Sequence, residues 1–91
     1  MESKIGVRME NCHHRLIKIR EQIIASNGKD ANSLEMLAIA DQLIKVSSVM
    51  LDEMSRKVKW SHKDRFGFNR FIQNVESFVQ LNIELLLPSH I

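Results

Sequence analysis

Along the first quarter of the chain, apolar residues recur at alternating intervals of four and three: Ile5, Met9, Cys12, Leu16, Ile19 and Ile23. At about 100° per residue these positions fall on one narrow stripe, which predicts a helix over residues 4–26. A second row, His13, Ile17, Arg20 and Ile24, keeps the same spacing beside the first and suits contact with two neighbours. Asn27-Gly28 then supplies residues that adopt the left-handed geometry closing many helices.

A second helix is expected over residues 32–59, opened by Asn32 and Glu35 as a capping box. Its apolar set runs from Met36 and Leu37 through Ile39, Ala40, Leu43, Ile44, Val46, Met50, Leu51 and Met54 to Val58, about half the helical circumference. That width predicts a central helix packed against two others, with Ala40 and Ser47 small enough for close approach. The third helix starts anywhere from Ser61 to Asn69, because Gly67 weakens its first turns, and runs to residue 87, where Pro88 forbids continuation. Phe68, Phe71, Ile72, Val75, Phe78, Val79 and Leu86 share one face of it, which makes it the aromatic anchor of the core. Asn82 falls within the same stripe, where a buried polar group sets register or oligomeric state and a bundle end leaves it solvated.

Three such helices joined by short loops predict an all-α, three-helix up-down-up bundle forming one domain over residues 1–91, with homodimerisation as its expected completion. Composition agrees: one proline and three glycines are too few for the turns of a sheet protein. The single cysteine cannot staple the monomer, and no stretch is apolar enough to span a bilayer. The expectation is a soluble, cytoplasmic protein with no membrane association. A formal net charge of +2 is too small to identify a nucleic-acid binder, so only the placement of charge is informative.

Cys12-His13-His14 is the one cluster of metal-ligating residue types, and His62 and His90 lie apart from it. Adjacent helical residues diverge by about 100°, and the i,i+4 pair that helical zinc sites use is missing, so no metal or other cofactor is expected. No glycine-rich loop, tyrosine or recognisable nucleophile–base pair is present, and the expectation is a non-enzymatic protein. A helix, an Asn-Gly turn and a second helix carrying Asp41-Gln42-Leu43-Ile44 resemble, over about a third of the chain, the small sporulation-control phosphatases of aspartyl-phosphate response regulators. Their Ser-Gln-Glu-Leu-Asp signature is replaced by Leu37-Ala38-Ile39-Ala40-Asp41, which removes the basis for carrying that activity over.

Residues 56–70 hold six of the thirteen Lys and Arg residues against one acid, Asp64. Arg56, Lys57, Lys59, Trp60, Lys63, Arg65 and Arg70 are accordingly the candidate partner-binding corner. Cations beside aromatics suit an acidic protein surface or, in the alternative reading, phosphates and unstacked bases, with Arg15, Lys18 and Arg20 as added contacts. A plain solvated corner, with Trp60 closing the core, is the competing account. Apolar residues outside the three stripes, Ile17, Ile24, Val49, Leu81, Leu85 and Leu87, form a candidate apolar interface. These features predict a helical protein–protein interaction module, a small regulator, adaptor or inhibitor of a larger protein. A homodimer is its expected assembly, and a nucleic-acid binder the alternative.

Overall fold

The computed structural model describes residues 2–26 and 30–83. Three helices follow in order, α1 (Glu2–Ala25), α2 (Ala31–Arg56) and α3 (His62–Leu81), with no strand among the described residues. The bundle is long and thin, 45 × 25 × 18 Å. Its radius of gyration of 14.4 Å exceeds the roughly 12 Å of an average 91-residue domain, so much of each outer helical face meets solvent.

The stripe predicted on α1 is the spine of the core. Met9, Cys12, Leu16, Ile19 and Ile23 are all buried, and α1 packs against both α2 and α3. The central helix is therefore α1, a correction to the expectation for α2. On one flank of α1, His13 and Arg20 reach Ser47 and Asp41 of α2; on the other, Arg8 reaches Asn69 and Glu76 of α3. The breadth of α2 has a different origin. Only Ala40, Ser47 and Met54 are buried, one heptad apart, while Leu43, Ile44, Val46 and Met50 remain half-buried on either side. Small side chains let α2 settle close onto α1, while Phe68, Phe71 and Phe78 of α3 fill the space a third helix would otherwise leave open.

Helix ends depart from the simplest reading in three places. Asp30, not Asn32, is the N-cap of α2, and its carbonyl accepts from the Leu34 amide at 3.0 Å; the Asn32–Glu35 box does not form. The end of α2 also comes earlier than residue 59, at Arg56, so Val58 lies beyond the helix and is 98% exposed rather than part of its apolar face. Helix α3 takes the earliest of its possible starts. Ser61 Oγ accepts from the Asp64 amide at 3.1 Å and the Ser61 amide donates to Asp64 Oδ2 at 2.9 Å, and this reciprocal cap outweighs the cost of Gly67 inside the helix. The same helix closes at Leu81, short of residue 87. Asn82 is its C-cap, and the buried side chain donates through Nδ2 to the Phe78 carbonyl at 2.8 Å. At 8% exposure Asn82 is not the solvated residue of a bundle end, and its amide bonds the last turn of the helix.

Candidate functional site

The basic aromatic corner is the turn between α2 and α3, and the structure divides its cations into two groups. Arg56 pairs with Asp52 at 3.0 Å one turn earlier in α2, and Lys57 donates to Asp64 Oδ1 at 2.7 Å with Glu53 at 3.9 Å. Arg65 is half-buried and engaged within the fold. All three already have partners. Lys59, Lys63 and Arg70 are exposed and form no ion pair among the described residues.

The aromatics divide in the same way. Trp60 turns inward and packs edge-on against Phe68, ring centroids 5.1 Å apart, so its indole closes the core and is only partly accessible. It also walls an open groove of about 410 Å³ with Gly6, Glu10, Leu51, Met54 and Ser55. Phe66 points outward and is 66% exposed. The sequence already sets Phe66 apart from the face that Phe68, Phe71 and Phe78 share and beside the basic residues. The signal was its helical position, about 180° from Val75 at the middle of the buried face.

The charge pair that fixes the corner has a consequence for pH. The Lys57 ammonium and the Ser61 amide hold the Asp64 carboxyl below the ordinary aspartate value, and the same contact raises Lys57. Because the folded value lies below the unfolded one, the stabilisation is complete above about pH 4 and is lost as pH falls through the folded value. Asp64→Asn is expected to lower the midpoint of urea unfolding by a constant increment from pH 5 to 8. Below about pH 4 the gap to the parent protein should close. A gap that persists unchanged at pH 2 would assign the increment to the cap geometry alone.

The described members of the candidate apolar interface are spread over all three helices. Ile17 is half-buried beside Arg20 and Ile44, Ile24 is exposed on α1, and Val49 is exposed on the side of α2 opposite Ala40, Ser47 and Met54. Leu81 stands at the far end of α3 and is 82% exposed; Leu85 and Leu87 lie outside the described residues, as does Leu86.

Of the remaining chemistry-bearing groups, Cys12, His13 and Ser47 lie in or beside the core, whereas His14, His62 and Asp41 are exposed. Burial raises the Cys12 thiol, with Glu76 adding to the effect and Arg15 and Arg8 opposing it, so the thiolate is disfavoured. His13 Nδ1 lies 2.6 Å from Ser47 Oγ, which is also 2.9 Å from the Ile44 carbonyl. A hydroxyl has one proton; given to the carbonyl, it leaves His13 to donate from Nδ1. Ser47 has no solvent access. His14 and His62 are exposed, His90 lies outside the described residues, and no group of three metal-ligating side chains converges among the described residues. Asp41, the acid within the phosphatase-like stretch, is ion-paired with Arg20 on the surface. No described helix is long and apolar enough to cross a membrane. Comparison with protein-family models, curated proteins and solved structures finds no match to the chain.

Proposed function

We propose that this protein is a non-enzymatic helical interaction module that regulates or adapts a larger protein partner through the outer side of the α2–α3 corner. The observation that carries the reading is the division of charge there. Lys57 and Arg65 are engaged within the fold and Arg56 pairs with Asp52 on the surface of α2. Lys59, Lys63 and Arg70 form no ion pair among the described residues, and Lys63 and Arg70 flank an exposed Phe66 on α3. Exposed apolar area rimmed by unpaired charge of one sign is a common form of protein-binding surface. Nucleic-acid binding draws less support, because successive stacked bases need a platform of several aromatics and Trp60 is packed on Phe68.

The test is photo-crosslinking in cells with benzoylphenylalanine in place of Gln73, an exposed residue of α3, and in place of Gln22 on α1 as the control. A discrete protein adduct from position 73, lost with Lys63→Glu and Arg70→Glu, supports the reading; an adduct at twice the chain's mass identifies the partner as a second copy. A nuclease-sensitive adduct replaces it with the nucleic-acid reading, and adducts equal at both positions, or none, overturn it.

A further inference from the structure

The outer face of α3 extends the corner along the whole helix. Lys63, Phe66, Arg70, Gln73, Ser77 and Leu81 follow one another at intervals of three or four, and all six are exposed. They form a single row about 27 Å long, with an exposed large apolar side chain towards each end. No acid lies on it. The two acids of α3, Asp64 and Glu76, are turned aside into ion pairs, Asp64 with Lys57 and Glu76 with Arg8 at 3.2 Å. Both carboxylates are thus held by cations at the flanks of the helix, and the two charged members of the row, Lys63 and Arg70, are positive.

From this row, and resting on the interaction reading above, we infer that α3 docks an acidic amphipathic helix of the partner. Lys63 and Arg70 are seven residues apart, two helical turns or about 10 Å, and Phe66 lies between them. A facing helix matches this spacing with carboxylates at i and i+7 and an apolar residue at i+3 or i+4, as paired helices match charges across an apolar seam. Arg70 can take its carboxylate with two parallel N–H donors, Lys63 as a point charge, and Phe66 supplies the buried anchor between them. A flat anionic surface such as a bilayer, or a nucleic-acid backbone, uses the two cations but imposes no i,i+7 register.

The test titrates the full chain with a labelled synthetic peptide helix carrying Glu at i and i+7 and Leu at i+3. A second peptide has the same composition with the Glu spacing moved to i and i+5. The matched peptide is expected to bind at least about tenfold more tightly than the shifted one, and to lose about tenfold or more with Phe66→Ala or Arg70→Glu. Val49→Ser, on an exposed position of α2, should leave binding unchanged. Equal binding of the two peptides, no binding, or tighter binding of phosphatidylserine vesicles or a single-stranded oligonucleotide would overturn the inference. The readout separates the two proposals: a protein adduct at position 73 without register-dependent peptide binding leaves the interaction reading standing and removes the acidic helix as its partner. All substituted side chains are exposed, so unchanged circular dichroism and melting temperature are the expected controls.

Discussion

Leu16→Ala is expected to lower the melting temperature by about 10–40 °C, because truncating a fully buried leucine costs about 2–5 kcal/mol and each kcal/mol is worth about 4–8 °C in a domain of this size. Leu16 has no solvent access and lies mid-stripe on α1, the helix that packs against both others. A cavity there is bordered from two sides and has little freedom to collapse. Ile44→Ala on α2, where the side chain is half-buried, should cost less, and Val49→Ala, 63% exposed, should stay within about 0.5 kcal/mol of the parent. Urea or thermal unfolding of the three variants ranks the sites. Were Ile44→Ala the most damaging, the central position of α1 would be wrong.

That ranking also marks where the chain's pattern was legible. The periodicity of α1 named its buried residues, because a narrow stripe at alternating fours and threes has one packing solution. The α3 face was legible for the same reason: Phe68, Phe71, Ile72, Val75, Phe78 and Val79 are all buried. The breadth of α2 misled, since the width of an apolar face measures how much surface is available, not which neighbour covers it. The deciding feature was the size of Ala40 and Ser47, read from the sequence as permitting close approach but not as drawing α2 onto α1 along that line. The ends of α3 depended on local hydrogen bonds. Ser61 and Asp64 carried a recognisable start signal, whereas Asn82 ended the helix by bonding the Phe78 carbonyl, which periodicity does not encode.

The candidate site was legible as a concentration of charge and not as a surface. Fifteen consecutive residues gave its position, but pairing decided which cations are available, and pairing depends on α2 stopping at Arg56 so that Lys57 meets Asp64. Phe66 and Leu81 acquire meaning as members of one exposed row only once α3 is known to begin at His62 and to run unbroken through Gly67 to Leu81. Building a glycine into that helix costs about 1 kcal/mol relative to alanine. A Cβ at Gly67 would meet nothing within 4 Å, so steric need does not explain the glycine.

Ala40→Leu tests whether the supporting core and the outer face of α3 are separable. Ala40 is fully buried on the line where α2 lies against α1, and the larger side chain has no room without moving the two helices apart. Overpacking of this kind costs about 1–3 kcal/mol, hence roughly 5–20 °C in melting temperature. The displacement would also strain the His13–Ser47 hydrogen bond and the Arg20–Asp41 ion pair that tie α1 to α2. Ala38→Leu, on an exposed position of the same helix, adds the same volume and should leave the melting temperature nearly unchanged. Because the row from Lys63 to Leu81 is built on α3 and α3 is held by α1, the folded fraction of Ala40→Leu should keep its affinity for the acidic peptide helix. A stability loss with unchanged affinity, measured well below the melting transition, places the binding face on α3 alone. A parallel loss of both would show that α2 shapes that face.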